Sequence, residues 1–333
     1  RWGVFPGVSV GWRVSQEDFF KEAVPFMENL KVRASAGRLG SDRSISNTMT
    51  YFSTATLSKD PIVMFGSDPQ KYLGLSRPIN PNLKWELTDT YNVGIESSMW
   101  NGLLGVELDV FYMKTTRSLE KQSGNFPLSL GDYFPAYINY GSHDNRGFEL
   151  VLTHHNRVKD FNYSIRGNVS WARNKILKMT EDANVPNYMR STGRPMGEYW
   201  GFVAEGLFQT EEEIAHSAVY GPTLPGDIKL KDINGDGKIT YDQDRVPIGR
   251  SSTPEMMFGL NLAGEWKGID FSMLLQGAAL FDVNLCGVYA DVGYDNTFYT
   301  KPFYCDGNTP YYLVENSWRP DHTNADYPRL GIV

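Results

Sequence analysis

Cysteine is nearly absent: Cys286 and Cys305 are the two in 333 residues. That is too few for a disulfide scaffold, and their spacing permits one bridge without requiring it. Also missing is any apolar run of about 18 residues, which excludes a membrane-crossing helix. A membrane barrel is untouched by that absence, because its strands need an apolar residue only at every second position. No basic stripe gathers the 32 Lys and Arg residues, and the formal net charge is −7. A nucleic-acid partner is therefore not expected. The catalytic signatures GxSxG, HExxH, GxGxxG and a GK[ST] phosphate loop are all lacking. His154 and His155 are adjacent, so on a strand they point to opposite faces and cannot hold one metal together. Acidic residues are plentiful, but no particular pair is nominated for glycosidase chemistry, and the reading is that of a non-enzyme. The chain opens at Arg1 rather than Met, which suggests part of something longer and makes a missing leader uninformative.

What is present points to strands. Glycine (32), Tyr (19), Phe (18) and Trp (8) are all abundant. Aromatic residues favour strands and glycines favour tight turns and bulges. The length allows one large or two ordinary domains.

Eight segments alternate with period two, the strand signal. They are VFPGVSVGWRVS, LKVRASAGRLG, TYNVGIES, LGVELDVFYM, RGFELVLTHH, FNYSIRGNVSWARN, MFGLNLAGEW and IDFSMLLQG. In the first, Val8, Val10, Trp12 and Val14 oppose Ser9, Gly11 and Arg13. Several runs reach ten residues or more, longer than an ordinary soluble strand and suited to a tilted crossing of a bilayer. Their polar face carries charges and amides throughout, as a wet lumen allows. Lumen candidates are Arg13, Lys31, Arg33, Glu96, Glu107, Asp109, Glu149 and Arg166, whose opposite charges are expected to pair across neighbouring strands. The apolar face places Trp12, Tyr112, Trp171 and Trp266 near strand ends, as an interfacial belt would.

Long irregular stretches separate the pairs, at about 40–82, 117–142, 178–254 and 284–333. Such lengths do not suit a compact soluble domain, whereas short turns on one side and long loops on the other suit an outer-membrane barrel. The fold class expected is all-β: an antiparallel transmembrane β-barrel, about eight strands of a larger one, with long extracellular loops over residues 1–333. The alternative is a surface or secreted carbohydrate-binding β-protein without transport activity, built as a sandwich with insertions.

Within one loop, GDIKLKDINGDGKITYDQDR resembles a calcium loop. Asp232, Asn234 and Asp236 take positions 1, 3 and 5, Gly237 the sharp turn, the Lys238 carbonyl position 7 and Thr240 position 9. Position 12 is Gln243, with Asp242 and Asp244 each one residue away. The candidate ligand set for a structural calcium is Asp232, Asn234, Asp236, Lys238, Thr240 and Asp244; no cofactor is required. The competing reading is a metal-free turn, since Asn-Gly and Asp-Gly pairs turn by side-chain-to-backbone hydrogen bonds. Two other loop stretches, 127–145 and 308–319, mix aromatics with Asn and Asp in a way that suits sugar rings or peptides. Their candidates for substrate contact are Tyr133, Tyr137, Tyr311, Tyr312 and Trp318. The competing role is packing the loops on one another.

The blocks FPGVSVGWRVSQEDFF, INPNLKWELTDTYNVGIE, NYGSHDNRGFELVL, GFVAEGLFQTEEEI, GDIKLKDINGDGKI and ENSWRPDHTNADYPRL carry a further resemblance. The chain resembles the C-terminal half of a SusC/RagA-type TonB-dependent outer-membrane transporter of the Bacteroidota. That resemblance implies a 22-stranded barrel with an N-terminal plug, and a SusD-like lipoprotein as lid. It also implies uptake of glycans or oligopeptides driven through TonB, contact with outer-membrane lipid, and no nucleic-acid partner. The plug, the TonB box and the remaining strands are not matched, so eight strands alone are not expected to transport.

Overall fold

The computed structural model describes residues 2–43, 55–57, 63–66, 68–70, 73–75, 80–121, 137–182, 184–283 and 311–329. Tyr133, Cys286 and Cys305 lie outside the described residues. The chain divides into two compact units. The first holds residues 1–185, 190–196 and 255–279; the second holds 186–189, 197–254 and 280–333.

The first unit is built on one antiparallel sheet of eight long strands in sequence order, with two small ladders, Ala55–Leu57 with Leu73–Leu75 and Val63–Phe65 with Asp68–Gln70, between its second and third strands. The eight long strands are β1 (Gly7–Trp12), β2 (Met27–Ser41), β3 (Glu86–Met99), β4 (Leu104–Lys121), β5 (Tyr137–Val158), β6 (Phe161–Lys178), β7 (Met256–Trp266) and β8 (Ile269–Ala279). All eight alternating segments are strands of this sheet. Its outer strands, β1 and β8, each pair with one neighbour among the described residues.

Three connections are tight: Trp100–Leu103, Lys159–Asp160 and Lys267–Gly268. They enter the left-handed region at Trp100, Asn101, Lys159 and Lys267, with φ between 49° and 57°. Bulky residues visit that region only where tight geometry demands it. These turns all lie at one end of the strands, and the long connections leave from the other.

Two local expectations change. Val14 does not continue β1. At Arg13 the backbone leaves the extended region (φ −91°, ψ 80°), and Val14–Gln16 form a 3-10 turn that buries Val14 ahead of α1 (Asp18–Ala23). The i→i+3 bond from Gln16 N–H to the Arg13 carbonyl competes successfully with the ladder. The long-loop end is also shorter than the composition implies. β4 runs on to Lys121 and β5 starts at Tyr137, so Tyr137 is a strand residue that pairs with Lys121.

The second unit is built from short ladders. Tyr199–Gly201 pairs with Val246–Gly249, and Ala204–Leu207 with Ile228–Leu230. It also holds the short helices α2 (Glu211–Ala215) and α3 (Tyr311–Glu315). Among the described residues, Phe208 and Ile239 are its buried apolar side chains, and Ser317 and Asp244 are buried as well.

Candidate functional site

The register of the eight strands sorts their side chains into two faces, because period two fixes every second residue to the same side. One face is apolar and outward-exposed over all eight strands. A single cross-strand row reads Ala34, Val93, Val110, Phe148, Trp171 and Met256. The row two residues nearer the tight turns reads Val32, Ile95, Leu108, Leu150, Val169 and Phe258. Val8, Val10, Val93, Val110, Ile269 and Phe271 are each more than half exposed. A water-facing sheet would not leave such a surface open.

Aromatics edge this band. Toward the tight turns stand Trp12, Phe161, Tyr163 and Trp266, with Phe26 stacked on Trp100 at 5.3 Å. Toward the other end Tyr91 stacks on Tyr112, and Phe148 packs against Trp171. From Phe161 to Trp171 a strand advances about 33 Å, which at barrel tilt projects to roughly 25 Å, the height of a membrane barrel's apolar band.

The opposite face is polar and holds the residues expected to line a lumen. Arg33 lies at the centre of a charge network. Its Nε sits 3.2 Å from Glu96 and its Nη2 2.5 Å from Asp109, while Lys31 Nζ reaches Glu96 at 3.5 Å. Arg33 reaches two strands away because Gly94 stands between. A Cβ there would lie 2.5 Å from Asp109 Oδ1 and 2.8 Å from Arg33 Nε. The expected pairing across strands is therefore present for Lys31, Arg33, Glu96 and Asp109. Glu107 lies opposite Glu96, Glu149 opposite Asp109, and Arg166 between Thr153 and Asn261. Arg13 donates instead to Asn29 Oδ1 at 3.0 Å. The two histidines separate as expected. His154 joins the outer face beside the Tyr163 hydroxyl at 3.1 Å, and His155 joins the polar face.

The calcium-like loop belongs to the second unit, between the ladder strands Ile228–Leu230 and Val246–Gly249. Asp232 accepts from Gly235 N–H at 2.7 Å and from Gly237 N–H at 2.8 Å. Asp236 accepts from Lys238 N–H and from the Asn234 amide, and the Asn234 carbonyl oxygen accepts from Asp236 N–H. Fully buried Asp244 accepts from Ile233 N–H at 3.0 Å and from Thr240 N–H at 2.7 Å. Every carboxylate oxygen of these three aspartates thus already accepts a protein donor. Among the described residues, no group of three or more His, Cys, Asp or Glu side chains is arranged to hold a metal. Tyr188 closes the loop by donating to the Gln243 carbonyl at 2.5 Å. Burial, and then the charges of Asp244, Asp236 and Asp232, hold the Tyr188 hydroxyl above its usual pKa.

Of the aromatic candidates, Tyr137 belongs to the first unit and Tyr311, Tyr312 and Trp318 to the second. Tyr137 starts β5, and its carbonyl accepts from Asn80 at 3.1 Å. Tyr311 and Tyr312 are exposed on α3. Trp318 is half-buried and donates to Gln209 Oε1 at 3.0 Å. Its ring lies on Gly226, where a Cβ would come within 2.3 Å and φ is +90°. Arg329 clamps the same place through Asp227 at 2.6 Å. Trp318 therefore fastens the 316–329 segment to the 208–227 segment.

Residues 1–314 match the family model described as TonB dependent receptor-like, beta-barrel. The chain belongs to this TonB-dependent receptor β-barrel family. TonB-dependent receptor P26 of Formosa agariphila is 29% identical over 98% of the chain. TonB-dependent receptor SusC of Bacteroides thetaiotaomicron is 26% identical over 89%. Against the structure of the RagAB peptide transporter, a TM-score of 0.66 extends over 98% of the chain at 20% identity, a likeness of fold. The chain spans about a third of the length of each of these proteins. In this TonB-dependent receptor barrel, the eight strands are an open stretch of barrel wall. The apolar face is the one suited to lipid and the polar face the one suited to the lumen.

One feature escapes sequence reading. Beyond Tyr91 and Tyr112 the outer face turns charged, in a row Arg38, Asp89, Lys114, Asp144 and Lys175. Each residue looks ordinary in sequence, and only the register shows that they share a face and alternate in sign.

Proposed function

We propose that this chain is wall and long-loop surface of an outer-membrane, TonB-dependent importer of glycans or oligopeptides that works with a SusD-like lipoprotein. The observation that carries this reading is the two-faced sheet: an apolar band of membrane height on one side and a charged wall on the other. The family of the chain and the names of its relatives, SusC and the RagAB peptide transporter, support it. The Arg33–Glu96–Asp109 network suits a lumen in which polar contacts to a plug must hold and also release. Long connections supply the extracellular surface on which a lid and a substrate would settle. Transport, not catalysis, is the activity proposed.

The test is made on the full-length gene product. The protein should fractionate with the outer membrane, and deleting its gene should abolish growth on one class of oligomeric nutrient. Growth should return with the intact gene and not with one whose TonB-contacting segment is deleted. A soluble or periplasmic location would defeat the proposal.

For the 226–245 loop, the hydrogen bonds favour a self-held turn that fixes the ends of two ladders. A structural calcium on Asp232, Asn234, Asp236, the Lys238 carbonyl, Thr240 and Asp244 would add rigidity to the same turn. A calcium titration of the purified protein, followed by heat capacity of binding, tests that addition.

A further inference from the structure

The outer face changes chemistry abruptly at the end of the strands from which the long connections leave. Directly beyond the Phe148–Trp171 pair, Arg146 and Arg173 stand opposite each other in register. Two like charges in one cross-strand pair repel, and here they do so at the rim of an apolar band. The next row adds Lys114 and Lys175 on either side of Asp144.

The anions nearby do not balance these cations. Asp89 is held by Arg38 through two contacts of 2.6 and 3.0 Å. Glu255 sits 3.3 Å from Arg173 Nε. Asp144 is buried between two lysines, with one oxygen 3.5 Å from the Tyr112 hydroxyl and the other without a hydrogen bond. Arg146 is exposed, and no ion pair engages Arg146, Lys114 or Lys175 among the described residues.

We infer that Arg146 and Arg173, with Lys114 and Lys175, bind the phosphate of a phosphorylated glycolipid in the membrane leaflet on the long-connection side. The inference rests on the membrane-spanning reading above. Acyl chains would lie along Val110, Leu150 and Val169, and the headgroup phosphate would then meet the guanidinium pair. Guanidinium groups offer paired donors that match phosphate oxygens, and cations at a membrane rim attract anionic headgroups. A phosphate between Arg146 and Arg173 also removes the repulsion that the register imposes. The opposite rim carries Lys159 and Lys267 in the turns themselves, but its outer face has no cross-strand pair of cations among the described residues. There the face ends on Trp266, Ile269, Phe161 and Val158.

The experiment uses the full-length protein in nanodiscs that carry trace bisphosphorylated lipid A, with bound lipid counted by native mass spectrometry. Wild type should retain it, and the Arg146→Gln/Arg173→Gln double variant should retain about tenfold less, the equivalent of roughly 1.4 kcal/mol. Enzymatically dephosphorylated lipid with the same acyl chains should bind wild type no better than it binds the variant. Inorganic phosphate at matched concentration should leave the lipid in place. Equal retention of the phosphorylated lipid by wild type and variant, wild-type retention of the dephosphorylated lipid as strong as that of the phosphorylated one, or displacement by inorganic phosphate would each overturn the inference. If the double variant fails to assemble, Lys175→Gln alone should still lower retention measurably. A protein found outside the outer membrane defeats the spanning reading instead, so the two failures are told apart.

Discussion

The eight-stranded sheet and the second unit solve the same problem in opposite ways. In the sheet, large apolar residues such as Val93, Val110 and Phe271 lie open on one face over the height of the band, and Arg33, Glu96 and Asp109 share the other. In the second unit, Phe208 and Ile239 are buried with Asp244 and Ser317, and exposed apolar residues such as Leu224 and Ile248 are scattered among polar ones. The difference identifies the solvent each was built for. A water-soluble unit hides its apolar side chains in itself, while a barrel wall presents them to lipid and keeps its ladder bonds within the sheet. The same charged groups serve differently as well. Arg329 and Asp227 pin a loop in place, whereas Arg33, Glu96 and Asp109 are arrayed along a wall, where partly exposed pairs contribute little stability each.

This contrast can be broken at several points. The largest effect is expected at the core of the second unit. Phe208→Ala should lower its local stability by about 3–5 kcal/mol, read as lost hydrogen-exchange protection across 204–230 with the strands of the sheet unchanged. Next is a charge placed midway up the apolar band. Leu152→Arg should cost about 2–4 kcal/mol of folding into lipid vesicles, measured by urea titration. Thr153→Arg, one residue along and on the polar face, should cost under about 1 kcal/mol. Equal costs would show that the faces are wrongly assigned.

Asp244→Ala comes third. It strips the acceptors from the Ile233 and Thr240 amides and should destabilise the 226–245 turn by about 2–3 kcal/mol, seen as proteolysis between Gly226 and Arg245. The smallest effect is a pH dependence of α2. Glu213 accepts from Gln209 N–H and pairs with Lys229, and these hold its carboxyl below the usual range, the amide bond first. A depressed folded pKa gives stability that is full above the unfolded value and lost as pH falls through the folded one. Exchange protection of α2 should therefore fall as the pH drops below about 4.5, and Glu213→Gln should flatten that fall.

The strands were legible in the sequence because period-two alternation is imposed by geometry, and residues such as Val93 or Leu108 report it directly. The pairing of Arg33 with Glu96 and Asp109 was foreseeable in kind, since both signs occupy the same face. The role of Gly94 was not, because a missing side chain has meaning only once its neighbours are known. Tyr137 and Lys121 were read as loop since both faces become polar there and alternation fades. The charged outer row was hidden for the same reason. Val14 kept the alternation but lost the strand to a local turn. For Trp318 the sequence offered both substrate contact and loop packing, and it cannot show that Gln209, 109 residues earlier, accepts from the indole while the ring lies on Gly226.

The spacing of tight and long connections also has a kinetic consequence. β3–β4, β5–β6 and β7–β8 each close over a few residues, so each hairpin can form on the microsecond scale of local contacts. Joining one hairpin to the next requires closing a much longer segment, and the entropy of closure rises with length, though slowly. The sheet should therefore grow in steps of two strands, with each hairpin arriving as a unit and the long connections setting the pauses between them.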